Sequence, residues 1–203
     1  MLKLLFPLPK DIVVALSGGV DSVAITDFLS HKHKITCAFF HHGTENSERA
    51  FEFVAEFCTE RNLPLMIGLI KNIKPKELST EEHWRNERYD FLDSFGDSLG
   101  PIITGHHLDD CVETYLWSSI HGQPKVIPSK RNNVVRPFLT TNKSEFTNWC
   151  ERKSIDWCHD NSNDDDTKYM RNYVRTHLMP HALHINPGLH TVVKKIVEKQ
   201  QNV

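Results

Sequence analysis

The chain has 203 residues, 39% of them hydrophobic, enough for one good core with a small appended subdomain. Its 24 Lys and Arg stand against 26 Asp and Glu, a formal net charge of −2 that names no partner by itself. No run of about 18 apolar residues exists to cross a bilayer, and Met1 to Leu8 is too short for a signal peptide, so a cytoplasmic protein without membrane partners is expected. Cys37, Cys58, Cys111, Cys150 and Cys158 are odd in number and contain no C-x-x-C pair. That excludes a disulfide framework, a zinc knuckle or a redox motif, and most of the five read as small core residues.

In chain order, β-rich apolar runs at Ile12 to Leu16, Ile35 to Phe40, Leu65 to Leu69 and Ile102 to Thr104 alternate with helical patterns. The helices are expected at Val20 to Leu29, Glu48 to Arg61, Glu81 to Phe95 and Asp109 to Ile120. This rhythm predicts an α/β fold with a doubly wound parallel sheet, whose ligands lie beyond the carboxyl ends of the strands. From His121 to Asn133 the rhythm breaks at Gly122, Pro124 and Pro128 among basic residues, which reads as a mobile loop. A helix from Lys143 to Arg152, a polar run from Asp160 to Asp166 and a helix around Tyr169 to Met179 then predict a small C-terminal subdomain, followed by a weak Lys-bearing tail. The division expected is 1–135 for a nucleotide-binding catalytic domain and 136–203 for a mainly helical extension packed on it.

Charge is unevenly spread. Residues 1–124 hold 11 Lys and Arg against 18 Asp and Glu, net −7, whereas residues 125–203 hold 13 against 8, net +5. A cationic C-terminal part on an acidic body suggests a localised nucleic-acid footprint, with ordinary surface variation as the alternative.

Two clusters carry chemistry. After the first strand, Ser17-Gly18-Gly19-Val20-Asp21-Ser22 forms a glycine turn into a helix. Gly18 and Gly19 let the backbone approach a ligand, and the N–H groups from Ser17 to Ser22 at the positive helix end suit phosphate oxygens. Asp21 beside an anion is repulsive unless a cation intervenes, so it faces either Mg²⁺ or an amine; an ordinary capped strand–turn–helix is the alternative. The stretch is neither a Walker A loop nor a dinucleotide fingerprint. After the fourth strand comes Gly105-His106-His107-Leu108-Asp109-Asp110-Cys111-Val112-Glu113-Thr114. Asp110 and Glu113, three apart, share a helix face and suit a cation, whether metal or ammonium, against simple helix capping. The adjacent imidazoles diverge at a strand end, which argues against a shared metal, and of the 13 histidines only His106 is singled out for function. Asp160 to Arg171 fails as an EF-hand, with Asp165 at the sixth position and Arg171 at the twelfth.

The Ser17 to Ser22 stretch resembles the SGGxDS signature of the PP-loop ATP pyrophosphatases, which adenylate a substrate oxygen and release pyrophosphate. The His-His-x-Asp-Asp-x-x-Glu set is similar to the second motif of one PP-loop branch, the tRNA(Ile)-lysidine synthetases, and further pieces follow in order. Phe40-His41-His42-Gly43 with Asn46-Ser47 resembles that family's NHGLR-type loop, and Glu81-x-x-Trp84-Arg85-x-x-Arg88-Tyr89 its E-x-x-x-R-x-x-R-Y helix. Arg136-Pro137-Phe138-Leu139 is similar to its RPLL segment. Trp157, Asp160, Ser162-Asn163, Tyr169, Arg171-Asn172, Arg175 and Pro180 resemble its D-x-S-N…Y-x-R-N-x-x-R…P stretch. Two departures stand out. His121-Gly122-Gln123-Pro124-Lys125 replaces a glycine-rich R-G-x-G-x-x-G loop, with Lys125 or Arg131 as substitutes for its Arg. The sequence also resembles a short form lacking the family's C-terminal RNA-binding domains.

The resemblance implies ligation of free L-lysine to C2 of the wobble cytidine in tRNA(Ile) with a CAU anticodon, through an adenylated cytidine and with ATP and Mg²⁺. It implies a catalytic set of Asp21, His106, Asp110, Glu113 and Arg85. Ser17, Gly18, Gly19, Val20, Asp21, Ser22 and His41 would hold ATP, and Arg88, Lys130, Arg131, Arg136, Arg171 and Arg175 would face the RNA. No metal ligand is singled out, and the oligomeric state stays open, a homodimer included. The alternatives are a PP-loop tRNA thiolation enzyme and a nucleotide- or tRNA-binding protein without turnover.

Overall fold

In a computed structural model, which describes residues 2–95, 98–158 and 170–201, β1 (Asp11–Ala15) is the strand on which the molecule is organised. Its parallel neighbours are β2 (Lys34–His41) on one side, with Val14 opposite Cys37, and β4 (Ile102–Ile103) on the other, with Val13 opposite Ile102. Outward from β2 lies β3 (Leu65–Leu69), and outward from β4 lies a hairpin, β5 (Lys130–Arg131) and β6 (Val134–Val135). The order β3-β2-β1-β4-β6-β5 is parallel except for β5.

Alternation along β1 divides the core in two. Ile12, Val14 and Leu16 point to the face covered by α1 (Val20–Ser30) and α2 (Glu45–Glu60) and by α5 (Lys143–Lys153), whose Phe146 and Cys150 complete that cluster. Val13 points to the opposite face, where Leu92 of α3 (Thr80–Asp93) packs with Phe95, Ile102 and Val134. This is the doubly wound arrangement expected, because a strand buried on both faces must be apolar at every position. Helix starts are sealed by side chains, Thr44 accepting from the Ser47 N–H and Ser79 from the Glu82 N–H.

A third cluster lies under α4 (Leu108–Ile120). Leu108, Cys111 and Val112 meet Leu189, Val193 and Val197 of α8 (Leu189–Gln201), a stripe at four-residue spacing. The segment expected as a tail is therefore an amphipathic helix. Before it, α6 (Met170–Tyr173) runs through a π-helical turn at 174–178 into α7 (Met179–Ile185). The Met179 N–H donates to Val174 O, five residues back, next to Pro180, which has no N–H to continue a regular ladder.

The 121–133 segment, expected as a loop, is irregular through residue 129 and ends in a short hairpin. Ser118 Oγ donates to Lys125 O and accepts from the Lys125 N–H, Val126 is buried, and Lys130–Arg131 pair antiparallel with 134–135 through a turn with Asn132 at φ 52°. Cys37, Cys58, Cys111 and Cys150 are buried and Cys158 half-buried, all as free thiols. The polar run Asp160 to Asp166 and the Tyr169 position lie outside the described residues, as do the side chains of Met170 and Arg171. Among the described residues no helix is long and apolar enough to cross a membrane.

Candidate active site

Beyond the carboxyl ends of β1, β2 and β4, two cavities adjoin. The first, about 310 Å³, is lined by Ser17, Gly19, Asp21 and Ser22 from the glycine turn, by Phe40 and His42 after β2, and by Thr104, Gly105, His106 and Asp110. The second, about 510 Å³, is lined by Glu81, Arg85, Glu113, Trp117, Lys125, Arg131 and Arg136, among others. Arg88, Tyr89 and His106 line both, so the cavities meet there.

The glycine turn is held by its own serines. Ser22 Oγ donates to Gly19 O and lies 3.1 Å from the Ser17 N, which donates to it. The Ser17 N–H is thus already engaged, a difference from the sequence expectation. Gly18 sits at φ +87°, the left-handed region where a Cβ is strained, and its carbonyl accepts the Cys158 N–H at 2.9 Å. Gly105 lies across the cavity, where a Cβ would come within 3.4 Å of Asp21 Cβ and 3.5 Å of the Ser22 N. Gly18 and Val20 support this turn without lining the cavity; Val20 packs against the core instead.

The acidic cluster is built around α4. Asp110 Oδ2 accepts the His107 N–H at 2.9 Å, closing the helix start. Glu113 is buried and accepts from Arg175 Nε at 2.6 Å, and Arg175 Nη2 reaches Asp110 Oδ1 at 3.5 Å. Arg175, expected on an RNA-facing surface, is thus turned inward between the two carboxylates by the π turn. Asp110 lines the first cavity and Glu113 the second. His106, at the junction, has its Nδ1 2.9 Å from Thr104 Oγ1.

His107, which the sequence reading passed over, is almost fully buried at 2% exposure. Its Nε2 lies 3.7 Å from Asp21 Oδ2 and 3.5 Å from Asp110 Oδ2, and its Nδ1 3.6 Å from Asp109 Oδ2. Burial alone pushes its pKa down, but Asp21, Asp110 and Asp109 together override that and raise it above the ordinary value. Asp109 also accepts the Lys143 N–H of α5 at 2.8 Å and lies 3.1 Å from His190 Nε2 of α8.

The second cavity is cationic. Tyr89 is ringed by Arg85, Arg88 and Arg131, whose guanidinium carbons lie 5.7, 5.6 and 5.9 Å from its ring centroid. Arg136 is buried, donating to Tyr89 Oη at 3.3 Å and to Pro128 O at 3.0 Å. Burial pushes the Tyr89 hydroxyl up, but Arg136, Arg88 and Arg85 more than reverse this and lower its pKa. Lys130 is exposed, with its Nζ 5.1 Å from the Phe6 ring.

His41 stands apart from the expected nucleotide site. Its Nε2 meets Glu48 Oε2 at 3.0 Å and its Nδ1 accepts the Gly43 N–H, on the α2 face of the sheet. Its neighbour His42 lines the first cavity, in ring contact with Trp84 and Phe40. Strand alternation decides this: Ala38, Phe40 and His42 share one face, and Phe39 and His41 the other.

An α/β fold with a glycine turn facing a cavity at the strand ends defines a nucleotide-binding protein of the PP-loop type. A family model for the PP-loop domain matches residues 3–182, and the chain belongs to that ATP-binding family. It is 32% identical over 184 residues to the tRNA(Ile)-lysidine synthase of Vibrio vulnificus (strain YJ016), covering 83% of this chain and 42% of that protein. Against the enzyme of the same name from Thermotoga sp. (strain RQ2) it is 32% identical over 203 residues, covering 93% of this chain and 49% of that one. The chain thus spans less than half the length of these relatives. Among solved structures, the U34-tRNA thiolase NcsA from Methanococcus maripaludis superposes with a TM-score of 0.75 at 14% identity, covering 95% of this chain and 72% of that one. The NH3-dependent NAD synthetase of Campylobacter jejuni superposes with a TM-score of 0.56 at 16% identity, covering 94% and 84%. Both share the fold.

Proposed function

We propose that this chain uses ATP to join free L-lysine to C2 of the wobble cytidine in tRNA(Ile) with a CAU anticodon. The observation that carries this reading is the meeting of a nucleotide-sized cavity and an arginine-lined cavity at Arg88, Tyr89 and His106, beside the acidic cluster. The relatives named above are lysidine synthases, which makes a tRNA and a lysine the substrates to seat there.

Cytosine O2 leaves poorly from C2. Transfer of AMP to O2 makes a good leaving group, after which the lysine ε-amine attacks C2 and AMP departs. The main-chain N–H groups of Val20 to Ser22, at the open start of α1, would bind the triphosphate, with Ser17 and Gly19 shaping the turn. Gly18 and Val20 would hold that turn, and His42 would take the adenosine-facing position expected of His41. Among the described residues no group of three or more His, Cys, Asp or Glu is placed to hold a metal. Mg²⁺ would therefore enter on the triphosphate, dispersing charge on the departing pyrophosphate. Arg85 and Arg88 would stabilise phosphate charge from the second cavity.

Asp21, Asp110 and Glu113 would orient the lysine. Its ε-ammonium, with a pKa of about 10.4, must lose a proton before it attacks, and His106 stands at the junction where that amine arrives. An anticodon cytosine is already unpaired, so it reaches the junction by splaying out of its loop. Arg131 and Lys130 would steer the loop, whereas Arg136, expected to face the RNA, is buried and would hold Tyr89 in place instead, with residues 1–135 acting as the catalytic unit and 136–203 packed on it. Burial pushes the thiols of Cys111 and Cys150 up to about 12 and about 11, while the Cys37 thiol lowers that of Cys58; none of the five cysteines lines either cavity, which weighs against sulfur transfer.

The test is mass spectrometry of nucleosides from that tRNA after incubation with the protein, ATP, Mg²⁺ and isotopically labelled lysine. A labelled cytidine adduct that disappears with Asp110→Ala is the expected result. No adduct while ATP still binds would replace this reading with a nucleotide-binding protein without turnover.

A further inference from the structure

We propose that His107, Asp109 and His190 form a proton path leading from the amine side of the nucleotide cavity to the protein surface. This deepens the function proposed above and rests on it. The path starts at Asp21, which lines the cavity and whose Oδ1 is buried without a hydrogen-bond partner. Its other oxygen faces His107 Nε2 at 3.7 Å, and the far side of the same ring, Nδ1, faces Asp109 Oδ2 at 3.6 Å. Asp109 Oδ1 lies 3.1 Å from His190 Nε2, and the His190 side chain is 26% exposed. Four titratable groups at the start of α1, at the start of α4 and on α8 therefore stand in series, and of these only His107 is shut off from water, the Asp21, Asp109 and His190 side chains being 29%, 21% and 26% exposed.

The surroundings favour a path over an isolated buried charge. His107 is faced by Asp21 from α1, by Asp109 and Asp110 from α4, and by the Phe146 ring of α5 at 5.9 Å. Arg175 reaches Asp110 from the π turn and offsets its charge. Asp109 is held in orientation by the Lys143 N–H on Oδ2, the oxygen that faces His107. The 3.6 and 3.7 Å gaps exceed a hydrogen bond and His107 Nδ1 has no hydrogen-bond partner, so the path requires these contacts to tighten when substrate binds.

Each carbon–nitrogen bond takes two protons from the lysine nitrogen, and the path carries the first. The lysine ε-ammonium gives its proton to Asp21. Asp21 passes it to His107 Nε2 while His107 Nδ1 releases its own to Asp109 Oδ2. Asp109, protonated on Oδ2, rotates its carboxyl to give that proton to His190 Nε2, and His190 Nδ1 sheds one to water. The neutral amine attacks C2, the C2–O2 bond breaks, AMP carries away the electron pair, and the second proton passes from the new C2–NH2⁺ nitrogen to the departing phosphate. Asp21 touches the substrate; His107, Asp109 and His190 act through it.

The experiment compares wild type with His190→Gln and Asp109→Asn in the full chain. Two rates are followed across pH 6 to 9: pyrophosphate release with tRNA and ATP, and labelled lysine adduct formation. Because His190→Gln fills much of the same space beside Asp109 but cannot carry a proton, adduct formation should slow about tenfold relative to pyrophosphate release. Imidazole in the buffer should restore the rate. Equal slowing of both rates, no imidazole rescue, or an unaltered adduct profile would each overturn the path while leaving the reaction standing. Absence of adduct from wild type would instead overturn the proposed function, and the path with it.

Discussion

Arg175 Nε donates to Glu113 Oε1 at 2.6 Å while the same guanidinium reaches Asp110 Oδ1 at 3.5 Å, so one side chain from the π turn spans both carboxylates of α4. Glu113 is almost wholly buried, and a carboxylate there costs heavily once its cation is gone. Arg175→Ala should lower unfolding free energy by about 3 kcal/mol, measured by urea denaturation. Adding Glu113→Gln to that variant should return part of the loss. Wild-type stability in the single variant would mean that this pair holds nothing.

His107 sets a pH dependence of defined sign. Its folded pKa lies above the unfolded value of about 6.5, because Asp21, Asp110 and Asp109 outweigh burial. Its stabilising contribution is therefore complete below pH 6.5 and fades as pH rises through the folded value. Unfolding curves of wild type and His107→Asn should differ most near pH 6 and converge above it. A gap that widens with rising pH would contradict a raised His107.

Glu87 works in the opposite direction. The Lys71 main-chain N–H and the Asn72 side chain, its leading partners, hold its carboxyl below the usual range against the opposing effect of burial. Stability from this contact is present above the unfolded carboxylate pKa of about 4.3 and is lost as pH falls through the lower folded value. Glu87→Ala should speed limited proteolysis between Lys71 and Leu78 at pH 7, and the difference between the two proteins should narrow as pH falls below about 4.3.

Gly18 at φ +87° should not tolerate a side chain, although a Cβ would make only ordinary contacts of 3.4 Å with Cys158 and Val54. The cost is in the backbone, about 1–2 kcal/mol. Gly18→Ala should lower the melting temperature and weaken ATP binding in calorimetry together. ATP affinity at the wild-type level would detach this turn from the nucleotide.

Lys130 and Arg131 are exposed at the hairpin beside the arginine-lined cavity. Replacing both by Glu should weaken tRNA binding most at low salt and make log affinity against log salt shallower by about one to two. An unchanged slope would place the RNA elsewhere.

The sheet was legible because β1 and β2 are apolar at nearly every position, which a strand covered on both faces demands. The glycine turn and Asp110 with Glu113 could be read locally, as spacing along one turn fixes which side chains converge. His42 was legible in principle, since Ala38, Phe40 and His42 alternate toward one face, but the choice between adjacent histidines needs the strand's register. The place of His107 depends on α1 bringing Asp21 across from 86 residues earlier, and no local pattern encodes that. Arg175 looked like half of a surface pair with Arg171 at helical spacing. A π turn ahead of Pro180 changes that spacing, so a regular helix was the wrong ruler. In α8, Leu189, Val193 and Val197 carry a stripe that lysines at 194, 195 and 199 obscure in composition.

The hydrogen bond from the Cys158 N–H to Gly18 O gives the glycine turn a strut from a part of the chain that follows α5. Gly18 answers to two masters, the phosphate-facing turn and the segment that leads toward the last helices. Any free energy by which nucleotide steadies the turn must, by reciprocity, be returned as tighter seating of that segment. Adding ATP should therefore slow amide exchange at Cys158 as well as at Val20 to Ser22. The strut makes the molecule's C-terminal third a reporter on its first loop.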